Sequence, residues 1–241
     1  METNTMKLTS TLTALSLIAL AAPALAGNPV PPPVAPPLVP VAMVDWSGWY
    51  GGASLGYGSG SYDQGVSALN QDGPTVDVDG AMFGLQIGRN FQNGNKVYGF
   101  ELGASSGIDG IVPQGTPLST FWFCTSGDCN VDIKALATLR GRFGVTSASG
   151  ATLFYGAAGV AGARYEGGIL NNVQQGETET NFGYTLGAGI EHMLRPNMSV
   201  FAEANYVDLG DLTFGQGNDP TDVYDGLGDF ATVKIGFNYH F

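Results

Sequence analysis

The stretch Phe230-Ala231-Thr232-Val233-Lys234-Ile235-Gly236-Phe237-Asn238-Tyr239-His240-Phe241 alternates residue by residue. Val233, Ile235, Phe237, Tyr239 and Phe241 are apolar, and Thr232, Lys234, Gly236, Asn238 and His240 between them are small or polar. Successive side chains of a strand point to opposite faces, so this segment reads as a strand with one apolar face. A period of two, apolar on one side and polar on the other, is how a strand of a membrane barrel separates lipid from lumen.

Working back along the chain, the same alternation recurs at 49–58, 81–90, 97–105, 132–145, 152–164, 182–193 and 198–208. These lengths match the ~9–11 residues that a tilted strand needs to cross hydrocarbon. Soluble strands average nearer ~5–6. The separators alternate as well: 91–96, 146–151 and 194–197 are tight, whereas 59–80, 106–131, 165–181 and 209–229 are long. The expected fold is all-β, an eight-stranded antiparallel up-and-down transmembrane β-barrel. Short turns and both termini belong in the periplasm and long loops outside. No later stretch approaches the ~18 consecutive apolar residues of a membrane helix.

The N-terminus agrees. Residues 8–22 form an apolar run behind Lys7, followed by Pro23 and the small-residue triplet Ala24-Leu25-Ala26, the pattern of a secretory signal peptide over 1–26. Residues 29–40 are too proline-rich for helix or ladder and read as an extended tether, within a linker at 27–45 that leads to the barrel domain at 46–241. The net charge of −12 excludes nucleic acid as a partner, since that needs basic patches over phosphates. Charged residues make up 12% of the chain and 37 residues are glycine, which suits a barrel better than a soluble domain, where about a quarter are charged. Cys124 and Cys129 form a C-x4-C pair with no further Cys or His ligand nearby. On an exported chain they read as a local disulfide that shapes a loop tip.

Assigning faces separates two sets of residues. Phe83, Leu85 and Ile87; Tyr98, Phe100, Leu102 and Ala104; Ile133, Ala135, Ala137, Leu139 and Phe143; Phe182, Tyr184, Leu186, Ala188 and Ile190; and the odd positions from Val233 to Phe241 fall on the lipid side. The opposite phase places Glu101, Lys134, Arg140, Arg142, Glu191, Glu203 and Lys234 in the lumen. An eight-stranded barrel is just wide enough for side chains to fill, so these charges are expected to meet as a hydrogen-bonded ionic network that plugs it.

Several segments carry a resemblance. Trp46-Ser47-Gly48-Trp49-Tyr50-Gly51-Gly52, Leu139-Arg140-Gly141-Arg142-Phe143-Gly144, Gly187-Ala188-Gly189-Ile190-Glu191 and Glu203-Ala204-Asn205-Tyr206-Val207-Asp208-Leu209-Gly210 resemble strand motifs of the small porin-like outer-membrane β-barrel family, related to the OmpA-type barrel. The resemblance spans residues 46–241. It implies a bacterial outer-membrane location, exposed loops, and structural or host-contact roles, and in that location lipid and lipopolysaccharide are the expected neighbours. Phe237, Tyr239 and Phe241 resemble the C-terminal signal read by the barrel-assembly machinery. Arg89 and His192 stand where that family usually has aromatic girdle residues. No peptidoglycan-binding segment follows Phe241, so a wall-anchoring role is not expected.

Other chemistry is poorly provided for. His192 and His240 fall at periplasmic strand ends with no Ser/His/acid set to join, so no catalytic residue is expected. Asp208, Asp211, Asp219, Asp222, Asp225 and Asp229 crowd the last loop without the spacing of a calcium loop, so neither metal nor cofactor is expected. The glycines at Gly51, Gly52, Gly56 and Gly58 precede no helix and suit close packing in a strand. The reading is a structural, surface-displaying barrel; the alternatives are a narrow passive channel, or a receptor or adhesin acting through its loops.

Overall fold

A computed structural model describes residues 44–66, 71–112, 129–169, 177–214 and 224–241. The expected signal peptide, nearly all of the linker, Cys124 with the side chain of Cys129, and Asp219 and Asp222 lie outside the described residues.

The chain forms β1 (Gly48–Val66), β2 (Gln71–Asn93), β3 (Lys96–Ser106), β4 (Asp109–Val112), β5 (Cys129–Thr146), β6 (Thr152–Ile169), β7 (Glu177–Arg195), β8 (Met198–Phe214) and β9 (Tyr224–His240). The short β4 continues β3 along the same edge of β5, with Ser106 opposite Ala135 and Asp109 opposite Asp132. The nine strands therefore make eight staves. Every neighbouring pair is antiparallel, and β1 pairs with both β2 and β9, which closes the barrel. Closure leaves the wall no edge, so its N–H and C=O groups bond within it, as passage through hydrocarbon requires.

At one end, here the turn end, connections are tight. Gly94 adopts a φ of 62° between β2 and β3, and Gly150 a φ of 75° between β5 and β6. The chain terminus is tied there too, the Phe241 N–H donating to the Trp49 carbonyl at 3.0 Å. At the opposite loop end the strands run past their expected limits, β1 reaching Val66, β2 starting at Gln71 and β8 reaching Phe214. Segments such as Ser59-Gly60-Ser61 lack the alternation of a strand crossing lipid. Beyond the hydrocarbon nothing demands an apolar face, so pairing continues where the sequence pattern fades.

The outer wall is a continuous apolar band. Leu55, Phe83, Leu102, Leu139, Val160, Leu186, Val233 and Ile235 all stand exposed on it. Inside, large side chains face glycines across the ladder. Tyr50 lies opposite Gly88, Tyr155 opposite Gly189 and Phe201 opposite Gly236. A Cβ at those glycines would come within 2.5, 2.6 and 2.6 Å of the facing rings. These positions must be glycine for the rings to lie flat against the wall.

A β-bulge corrects one part of the face assignment. The β5–β6 register shifts between Ile133 and Ala135, leaving Lys134 as the extra residue. After the bulge the odd positions of β5 face outward as expected. Before it the phase reverses, so Val131 and Ile133 are buried inside and Lys134 turns out. Its ammonium pairs on the outer rim with Asp132 and, at 3.2 Å, with Glu166, so Lys134 does not belong to the lumen network. Gly107 makes the kink possible, because a Cβ there would stand 1.2 Å from the Ile133 carbonyl oxygen.

Candidate functional site in the barrel lumen

Above the turn end, an apolar cap closes the barrel. Trp46, Val97, Leu153, Tyr155 and Met193 pack together, with Val44 against them. The Trp46 indole N–H donates to the Gly150 carbonyl at 2.9 Å, which fixes the ring across the opening.

The ionic layer follows. Glu101 accepts from Arg140 Nη2, from Arg142 Nη1 at 3.3 Å and from the Tyr50 hydroxyl at 2.8 Å. Glu203 accepts from Arg140 Nη1 at 2.8 Å, the Tyr155 hydroxyl at 2.8 Å and Lys234 Nζ at 2.9 Å. Glu191 accepts from Arg142 Nη2 at 2.7 Å, Ser199 Oγ at 2.6 Å and Asn238 Nδ2 at 2.8 Å. Three carboxylates thus face the three cations Arg140, Arg142 and Lys234, and the layer is neutral with its acids ionised. The side chains of Glu101, Arg140, Arg142, Glu191 and Glu203 are all at most 5% exposed. Burial of this kind is tolerable only because each charge meets a partner, and a fork-shaped guanidinium can serve two carboxylates at once.

Six of the seven residues placed in the lumen by sequence are therefore brought together, and Lys134 is not. Sequence reasoning missed the neutral partners. The Arg142 guanidinium lies over the Tyr155 ring with 4.0 Å to its centroid and over Tyr50 at 5.3 Å. Asn205 accepts from Arg140 at 2.6 Å, and Gln86 donates to Asn238 at 2.9 Å. All of these occupy the inward phase, which was the available signal. His240 was also missed: it points inward, with Nε2 at 2.9 Å from Ser199 Oγ and 3.6 Å from Glu191.

Ser199, His240 and Glu191 are thus the residue types of a hydrolytic triad without its wiring. The carboxylate accepts from the serine rather than orienting the imidazole, and Ser199 is fully buried with Trp46 edge-on to His240 at 5.8 Å. A nucleophile needs a base free to take its proton and a path for substrate.

Past the network, Ser54, Gln86, Thr138, Thr185 and Thr232 line a chamber of about 60 Å³ together with the apolar Met82, Leu136 and Val207. That is room for a few waters at ~10–15 Å³ each. A second apolar layer then fills the lumen toward the loop end, built from Met82, Ile108, Val131, Ile133, Leu209 and Phe230 among others. Phase reversal at the bulge supplies Val131 and Ile133 to it, and the break between β3 and β4 supplies Ile108. Among the described residues no cluster of His, Cys, Asp and Glu is arranged to hold a metal ion.

Known proteins share this architecture. Residues 12–241 match the family model of the outer membrane protein beta-barrel domain. The 31 kDa outer-membrane immunogenic protein of Brucella melitensis is 28% identical over 221 residues, covering 87% of this chain and 89% of that protein. A 22 kDa outer membrane protein of Rhizobium leguminosarum is 29% identical over 190 residues, covering 76% of this chain and 77% of that protein. The crystal structure of OprG from Pseudomonas aeruginosa superposes with a TM-score of 0.54 at 16% identity, covering 81% of this chain and 96% of that one. A closed eight-stave barrel with an apolar exterior, a charged interior and these relatives belongs to the outer-membrane protein β-barrel family, and the chain is an integral outer-membrane barrel.

Proposed function

We propose that the protein is a non-enzymatic structural barrel that stabilises the envelope and displays its long loops at the cell surface. The observation that carries this reading is the filled lumen: an apolar cap, a neutral buried ionic layer and a second apolar layer stand in series. An ion crossing it has to displace paired charges and shed its hydration against two greasy layers, each a large barrier. The closing Ser199–His240–Glu191 arrangement lies beneath the cap, out of reach of substrate, which favours a structural role for it.

Orientation follows from the asymmetry of the two ends. Tight turns and the tied C-terminus suit the periplasm, and long connections with extended strands suit the outer surface. The naming of the Brucella relatives as immunogenic accords with loops that antibodies can reach. On this reading the partners are lipid, lipopolysaccharide around the loop-end rim, and the assembly machinery that reads Phe237, Tyr239 and Phe241. Planar-bilayer recording on the purified, folded protein tests the proposal. Conductance near zero is expected; a steady large conductance would favour the narrow-channel reading and sink this one.

A further inference from the structure

Arg89 faces outward from β2 near the turn end, where the family places aromatic girdle residues. Its guanidinium carbon lies 5.7 Å from the Trp49 ring centroid and 5.1 Å from that of Phe91. The surrounding rings are themselves interlocked: Phe91 stacks on Tyr98 at 5.7 Å, and Trp49 meets Phe100 edge-on at 5.9 Å. Trp49, Phe91, Tyr98 and Phe100 are all exposed on the outer wall. Arg89 therefore does not interrupt the girdle but is framed by it.

Among the described residues, no carboxylate forms an ion pair with Arg89. Lys96 stands exposed on the same β2–β3 hairpin, also without an ion pair among the described residues. Asp45, also at the turn end, accepts from the Ser47 N–H at 2.8 Å. At the loop end the sign reverses, with Asp79, Asp109, Asp132, Glu166, Asp208 and Asp229 on the outer wall. An aromatic frame holds a guanidinium flat and leaves its donor edge free, which is the geometry that grips a phosphate bidentately. Aromatic girdles lie at the level of lipid headgroups.

We propose that Arg89, framed by Trp49 and Phe91, is a docking site for the phosphate of an anionic glycerophospholipid in the periplasmic leaflet, with Lys96 adding positive charge further along the same hairpin. The choice of leaflet rests on the orientation proposed above. An anionic lipid is favoured over a zwitterionic one because two unpaired cations share one hairpin, each basic residue near a lipid surface contributing to attraction for negative charge.

Native mass spectrometry of the detergent-folded full chain tests the site by titrating phosphatidylglycerol against phosphatidylcholine. One phosphatidylglycerol is expected to be retained preferentially. Arg89→Gln should weaken that retention roughly fivefold, the weight of one basic residue at a lipid surface. Arg89→Lys should restore part of it, and Arg195→Gln, on the β7–β8 hairpin, should leave it unchanged. Folding of each variant is read from its electrophoretic shift, and Arg89 points away from the core, so the shift is expected to persist. Equal retention of the two lipids by the wild type, or an Arg89→Gln variant that retains as the wild type does, overturns the site. Preference for lipid A over phosphatidylglycerol overturns it as well; surface labelling of single cysteines introduced into the loops, on intact cells, then separates a wrong orientation from a wrong site.

Discussion

Arg142→Met is the sharpest perturbation of the lumen, because the guanidinium it removes is the hub of two carboxylates. In the native barrel Nη2 donates to Glu191 at 2.7 Å, and Nη1 donates to the Tyr50 hydroxyl at 2.6 Å with Glu101 at 3.3 Å. Glu101 keeps Arg140 when Arg142 is lost. Glu191 keeps only the neutral donors Ser199 and Asn238, with His240 at 3.6 Å. Methionine fills much of the vacated volume, so the loss is dominated by a fully buried carboxylate left without its cation, about 3–5 kcal/mol. That is roughly two to four powers of ten in the folding equilibrium. Adding Glu191→Gln removes the orphaned charge, so the double variant should be more stable than the two single losses predict, by about 1–3 kcal/mol. The assay is equilibrium urea unfolding from detergent micelles or lipid vesicles, followed by the electrophoretic shift and by the fluorescence of buried Trp46. A single-variant loss under about 1 kcal/mol, or additivity within about 0.5 kcal/mol, would refute the argument that the pair acts as a unit.

The same titration checks three further expectations. Gly189→Ala should cost about 1–3 kcal/mol by forcing the Tyr155 ring off the wall and away from Glu203, whereas Gly141→Ala, whose Cβ would meet only the Ala158 carbonyl oxygen at 3.9 Å, should stay within about 0.5 kcal/mol. Trp46→Ala should cost about 3–5 kcal/mol by emptying the turn-end cap, yet leave bilayer conductance near zero because the ionic layer lies beneath it; an open pore in this variant would show that the cap alone blocks the lumen. Lys234→Met should lose roughly 1.5–3 kcal/mol, a single charge-assisted hydrogen bond, and should still fractionate with the outer membrane, since Glu203 retains Arg140 and Tyr155 and the outward face of β9 is untouched. Failure to assemble would contradict a division of β9 into a sorting face and a locking face.

Much of this architecture was legible because lipid imposes one rule on every strand. Wherever a strand crosses hydrocarbon its outer positions must be apolar, so β9, with Val233 to Phe241 outward and Lys234 inward, could be read from its letters alone. The limits of legibility follow from the same rule. Past the hydrocarbon the strands of the loop end continue as Ser59-Gly60-Ser61 and similar stretches, paired but without a greasy face to announce them. Lys134 was misplaced because a bulge adds one residue and reverses the phase before it, and its trace in the sequence is Gly107, in the break between β3 and β4. Ile133 was placed on the lipid side for the same reason, and Ile108 lies in the break between β3 and β4, where no alternation reports its face. The uncharged partners Tyr50, Tyr155, Ser199 and Asn205 lay in the inward phase but gave no signal of their own, since a hydroxyl or amide declares its partner only once the opposing stave is in register.

Register itself explains why a barrel that gains little net stability from buried ion pairs keeps them. Slipping β9 by one residue against β8 would turn Ile235 and Phe237 inward and Lys234 and Asn238 into lipid, which the apolar exterior forbids. A slip of two residues passes that test, since every side chain stays on its own face. It moves each inward group by about 6.8 Å along the strand, however. Lys234 would then face Phe201 or Asn205 instead of Glu203, and Gly236 would no longer lie beneath the Phe201 ring. The same slip between β3 and β5 would take Arg140 from opposite Glu101. Lipid selects the face and so excludes odd slips; where a long connection rather than a tight turn joins two staves, as between β8 and β9, the charged pairs and the ring-on-glycine pairs of the lumen distinguish even ones. The buried charges cost desolvation wherever they stand, and in one register alone do they recover it.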